Sequence, residues 1–174
     1  MVTMTKRMFG VRLVLVVTLL VSATAWADES AKKQHTELAK AMTGAKVSLA
    51  TALTASASEG KPISAKFEVE DGKLQLSVYT EKNGQFKEVI VDHQTGKVTK
   101  AEAITEGEDL AAAKSQSATL ARAKRSLSAA VAKAVAKNPG YHAVSATPTL
   151  KGGAVVKVTL VKGDTWKTVT QKLD

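Results

Sequence analysis

Side chains able to do chemistry are few in this chain, and they are scattered. The 174 residues include no cysteine and three histidines, which excludes a thiolate nucleophile, a cysteine-bound zinc and a redox pair. His35, His93 and His142 fall in different segments and have no ligand-spaced partner. Asp92 and His93 are adjacent on a strand-like run, where successive side chains point to opposite faces, so no dyad is expected of them. Glu68, Glu70 and Asp71 alternate beside an Asp-Gly turn. A solvated edge accounts for them, with weak calcium binding as the chemical alternative. Gly152-Gly153 is not followed by a helix N-terminus, so it lacks the amides that cradle a phosphate. No nucleophile–base pair can be assembled, so the chain is not expected to be an enzyme, and no catalytic residue, metal site or cofactor is expected.

The basic residues form the one surface with content. Residues 28–106 carry 11 basic and 12 acidic side chains, whereas residues 107–174 carry 11 basic and 4 acidic. Arg122, Arg125, Lys133 and Lys137 project away from the apolar stripe of a short helix and are the candidate partner-binding residues; with Ser126 as its cap, only Lys133 and Lys137 are certain to lie within that helix. A solvated helix face is the plain explanation; an acidic protein or an anionic surface is the functional one. No aromatic residues interleave with these cations, which disfavours stacking on nucleic acid.

The elements that position these residues occur twice. Ala45-Lys46-Val47-Ser48-Leu49 returns as Ala123-Lys124-Arg125-Ser126-Leu127, 78 positions later, and Lys82, Phe86, Lys87 and Val89 return as Lys162, Trp166, Lys167 and Val169, 80 positions later. Such self-similarity marks a duplicated module. Leu49, Leu53 and Ala57, then Leu127, Val131 and Val135, mark one short helix per copy. Lys46 and Lys124 would fall on the apolar stripe if these helices began earlier, and an unpaired buried ammonium is costly. The helices are therefore expected to start after Ser48 and Ser126, acting as N-caps. A further helix is expected over residues 28–44.

Beyond Pro62 and Pro139 the period changes from 3.6 to 2, with turns at Asp71-Gly72, Asn83-Gly84, Thr95-Gly96, Gly152-Gly153 and Gly163-Asp164. The expected fold is α+β: two tandem α-β-β-β units, each a helix on a three-stranded antiparallel sheet. The first covers residues 28–104 and the second, more basic one residues 105–174, joined by a polar linker over residues 101–109. The second copy has Ala143, Ser145, Thr147 and Thr149 where the first has larger apolar residues. A thinner core anchored on Trp166 is expected there.

Residues 1–27 have the three parts of a secretory signal peptide. Lys6, Arg7 and Arg12 precede an apolar stretch of 11 residues, 13–23, and Ala25-Trp26-Ala27 is a cleavage site. A spanning helix needs about 20 apolar residues, so cleavage after Ala27 leaves no stable membrane anchor. The expected location is periplasmic or secreted.

Four stretches carry a family resemblance: Ala45-Lys46-Val47-Ser48-Leu49-Ala50, Gly60-Lys61-Pro62-Ile63, Tyr79 ahead of Asn83-Gly84, and Phe86-Lys87-Glu88-Val89-Ile90-Val91-Asp92 followed by Thr95-Gly96-Lys97-Val98. Together they resemble the PepSY domain family over residues 44–100 and, more weakly, 122–174. Ala50-Thr51 and Ser128-Ala129 depart from the family's acidic early helix. The resemblance implies no catalytic residue and no cofactor. It implies an exported protein-binding module that regulates or inhibits an envelope or secreted peptidase, and a propeptide role in cis is not expected because no peptidase region is attached. The rival expectation is a structural protein that docks on anionic lipid or cell-wall polymer through its basic second copy. A role in binding nucleic acid is not expected.

Overall fold

The computed structural model describes residues 23–174. The expected n-region and most of the apolar stretch, residues 1–22, lie outside the described residues, as do the side chains of residues 23–28. In chain order the elements are α1 (Ala23–Met42), α2 (Leu49–Ala55, followed by a 3-10 turn at Ser56–Ser58), β1 (Lys61–Glu70), β2 (Lys73–Lys82), β3 (Gln85–Val91), β4 (Val98–Ile104), α3 (Gly107–Leu120), α4 (Leu127–Ala136), β5 (His142–Leu150), β6 (Ala154–Lys162) and β7 (Thr165–Lys172). Among the described residues no helix is long and apolar enough to cross a membrane.

The α+β class holds, but two separate three-stranded sheets do not form. All seven strands make one antiparallel sheet in the order β4-β3-β2-β1-β5-β6-β7. The first strands of the two copies pair, Ala65 opposite Ala146 and Lys66 opposite Ser145. An unpaired edge is a row of unsatisfied backbone groups, and this pairing satisfies one edge from each copy. Each of these strands also carries an irregular residue, Ile63 in β1 and Val144 in β5, where the register shifts. Ala65 and Ala146 each lie two residues beyond that shift, so they occupy the same place in their copies. A pseudo-twofold axis therefore passes between them, normal to the sheet.

One sheet face is apolar. Ala65, Phe67, Leu76, Val78, Val89, Val91, Ala146, Val156, Val158 and Leu160 point to it and are almost fully buried. α2 and α4 cover this face and pack against each other. Their inward positions follow the 3.6 period: Leu49, Ala52 and Leu53 in α2, continued by Ser56 of the 3-10 turn, and Leu127, Ala130, Val131 and Ala134 in α4. A four-residue stripe drifts off that line, which is why Ala57 is exposed and Val135 only half-buried. On the opposite face Ser64 Oγ donates to Gln116 Oε1 of α3 at 2.7 Å. There too, His35 of α1 stacks on Trp166 of β7, ring centres 4.3 Å apart.

The duplication extends to individual hydrogen bonds. Ser48 Oγ accepts from Thr51 N–H at 3.1 Å and Ser126 Oγ from Ala129 N–H at 3.2 Å, so both serines cap as expected. Lys46 and Val47 donate their amides to the His93 carbonyl, and Lys124 and Arg125 donate theirs to the Leu173 carbonyl. These bonds hold the lysines in an extended loop ahead of each helix and leave their side chains exposed. Each copy is thus α-α-β-β-β, with β4 as an addition to the first.

Two expectations need correction. Residues 101–109 are not a free linker, because β4 continues to Ile104 and α3 begins at Gly107. α3 escaped notice because its apolar residues are mostly alanines, which draw no stripe. Second, Ser145, Thr147 and Thr149 do not thin the core. The irregularity at Val144 moves them to the outer face, since a shift of one residue reverses which side chains point inward. The true counterparts of Ile63, Ala65 and Phe67 are Val144, Ala146 and Pro148, all buried. Trp166 is only half-buried, on the face opposite α4, so it is not the anchor of that core. Lys66, Lys73 and Lys87 sit on β1, β2 and β3, away from the sheet edges β4 and β7.

Candidate functional site

The pseudo-twofold axis places the N-terminus of each short helix beside the C-terminal half of the other and so creates two matching clefts. The first lies between the α2 N-terminus and α4, with a volume of about 770 Å³. Met42, Val47, Leu49, Val131, Val135 and Tyr141 are among its walls, and Phe67 and Ala143 of the sheet also line it. The second lies between the α4 N-terminus and α2, with a volume of about 460 Å³. There the corresponding walls are Leu120, Arg125, Leu127, Leu53, Ala57 and Lys61. Ala45, Lys46 and Ser48 line the first cleft, and Ala123, Lys124 and Ser126 line the second in the same order.

The expected partner-binding residues are all exposed but do not form one patch. Arg122 and Arg125 belong to the loop before α4, and Arg125 lines the second cleft. Lys133 lies in the second half of α4, and Lys137 is its C-terminal cap residue. Among the described residues none of the four joins an ion pair.

Glu70, Asp71, Asp92 and His93 do meet, around a shallow hollow of about 440 Å³. Among the described residues, however, no three His, Cys, Asp or Glu side chains are grouped so as to hold a metal ion. Asp92 is engaged locally: its Oδ1 accepts from the amides of Gln94 at 2.7 Å and Thr95 at 2.9 Å. Those backbone bonds, Thr95 first, hold its carboxyl below the usual range. His93 Nδ1 faces Gln94 Nε2 at 3.1 Å, and Gln94 also bonds the Gly44 carbonyl. His142 is exposed at the start of β5 and lines the first cleft.

Two polar contacts repeat across the copies with different chemistry. Lys87 Nζ bonds Glu59 Oε2 at 2.9 Å, and this partner lowers the Glu59 pKa. Lys167 Nζ instead bonds the neutral Asn138 Oδ1 at 2.7 Å, while Asn138 Nδ2 donates to the Ala134 carbonyl. Near the axis, Lys66 pairs with Glu68 at 2.7 Å and lies 5.8 Å from the centre of the Tyr79 ring. Burial pushes the Tyr79 hydroxyl up to about 12 despite the opposing Lys66 charge. For Lys66, burial acts to lower the pKa, but Glu68 and Tyr79 outweigh it and the net direction is up.

The clefts themselves were not visible in the sequence. Their signal is the repeated Ser-Leu helix start, but locating them also requires knowing that β1 pairs with β5. No protein-family model, no curated protein and no solved structure matches the chain.

Proposed function

We propose that this chain is an exported, non-catalytic protein-binding module built from two PepSY-like copies, and that it regulates or inhibits an envelope or secreted peptidase. The observation that carries this reading is the closure of two copies around β1–β5, which leaves β4 and β7 as outward-facing edges. An extended segment of a partner can add to such an edge through main-chain hydrogen bonds. Engagement of the reactive side chains elsewhere supports the non-catalytic part: Ser48 and Ser126 cap helices, Asp92 closes a turn and His35 stacks on an indole.

Photo-crosslinkers placed at exposed Thr170 of β7 and Ala101 of β4, activated in intact cells, test the reading. Capture of a peptidase from either edge is expected, along with altered extracellular proteolysis when the protein is deleted. Capture of other proteins only, with proteolysis unchanged, would count against it.

Arg122, Arg125, Lys133 and Lys137, exposed and in no ion pair among the described residues, favour a second reading: docking on anionic lipid or an acidic cell-wall polymer. Such docking fades as ionic strength rises toward physiological values and is lost in a Lys133→Glu, Lys137→Glu double variant. Strand addition survives both.

A further inference from the structure

The first cleft has the features of a ligand site. Its volume of about 770 Å³ falls within the range of roughly 300–1,000 Å³ usual for small-molecule pockets. A single anchoring side chain from a protein partner would leave most of it wet. The lining is chiefly aliphatic, with Met42, Val47, Leu49, Val131, Val135, Val161 and several alanines beside the rings of Phe67 and Tyr141. Aliphatic walls accommodate a flexible alkyl chain, and an unbranched thioether such as Met42 can follow such a chain's shape. Charge at the cleft has one sign. Among the described residues no aspartate or glutamate lines it, whereas Lys46 and His142 do. The Lys46 side chain is exposed and, among the described residues, makes no ion pair.

We propose that this cleft binds one medium-chain fatty acid, with the alkyl chain between α2 and α4 and the carboxylate at the Lys46 ammonium. Apolar burial supplies the affinity, and the rim charge selects an anionic head over a cationic one. The second cleft is an internal control. It has the same backbone plan, but its volume is about 460 Å³ and Arg125 stands in place of Val47. The proposal is independent of the peptidase reading, because the cleft lies at the β1–β5 seam and strand addition takes place at the outer edges.

Isothermal titration of the purified protein, in the processed form its own cells accumulate, tests this with octanoate, decanoate and laurate below their micelle-forming limits. One saturable site is expected, tightening by up to about fourfold per added methylene. Ala132→Trp, an exposed position that lines the cleft, should fill the space and abolish binding while unfolding remains cooperative. Lys46→Glu should weaken laurate about tenfold, and Lys124→Glu at the matching position of the second cleft should leave it unchanged. The proposal is overturned if no saturable binding occurs, if dodecylammonium binds as well as laurate, or if Ala132→Trp retains full affinity in a folded protein.

Discussion

At the first cleft α1 contributes Met42 and the pre-helix loop Val47; at the second the matching positions carry Leu120 and Arg125. Leu120 is buried, whereas Met42 is only partly covered, and the first cleft is the larger. Elsewhere the copies diverge one residue at a time. Thr80 stands where the second copy has Leu160, Glu59 where it has Asn138, and Phe86 where it has Trp166. The backbone plan, including caps and loop-to-strand hydrogen bonds, is the same in both. Duplication preserved what each unit needs in order to fold, while the surfaces between the units were free to change.

The largest effect is expected where the copies meet. Ala65 and Ala146 face each other under α2 and α4, 2% and 0% exposed. Ala146→Asp places a charge there without a partner and should cost about 3–5 kcal/mol, read as a collapse of the urea midpoint. If the variant unfolds like the wild type, the β1–β5 seam is not the centre of the fold. Next, Phe86→Ala should cost about 3–5 kcal/mol, since Phe86 is buried. Trp166→Ala should cost less than about 2 kcal/mol, because one side of the indole is covered mainly by His35. Equal losses in the two variants would remove this distinction between the copies.

Asn138 is buried, and its side chain bonds both the Ala134 carbonyl and Lys167. Asn138→Ala leaves both without that partner and should cost about 1–3 kcal/mol in chemical denaturation. Thr80 works in the opposite sense. Its hydroxyl is buried with no hydrogen-bond partner among the described residues, so Thr80→Val, of nearly the same shape, should stabilise by about 1 kcal/mol. A loss of stability would mean that the hydroxyl has a partner after all.

The smallest effect is a pH dependence that belongs to the first copy. Lys87 lowers the folded-state pKa of Glu59. A carboxyl shifted down in this way stabilises the fold above its unfolded pKa of about 4.3. That contribution is lost as the pH falls through the lower folded value. Glu59→Gln has no such proton to gain, so below about pH 4.3 its stability should fall less steeply than that of the wild type. Parallel acid limbs in thermal melts would show that the Glu59–Lys87 contact carries no stability. Asn138–Lys167, with a neutral acceptor, supplies no carboxyl to this acid limb.

Much of the local structure was legible in the residues. The lysine that would be buried and the serine that can cap placed both short helices correctly. Asp71-Gly72 and Asn83-Gly84 placed two hairpin turns, and both pairs adopt positive φ. α3 was missed because alanine, serine and threonine draw no amphipathic stripe. The inward face of β5 was misread because the register shift at Val144 displaces the alternation by one residue, and sequence period alone does not reveal such a shift. The Ser126 cap already put Arg122 and Arg125 ahead of the helix that carries Lys133, as the structure has them.

Short-range chemistry, then, was settled by the chain itself: caps, turns, strand alternation and the doubling of the unit all depend on residues within a few positions of one another. Whether the two copies stand apart or share a sheet depends on pairing residues 81 positions apart, Ala65 with Ala146. No local pattern specifies that choice. It is made by the gain from sealing two strand edges and from packing α2 on α4 over small side chains. Both clefts are consequences of that pairing, so only the tertiary structure could reveal them.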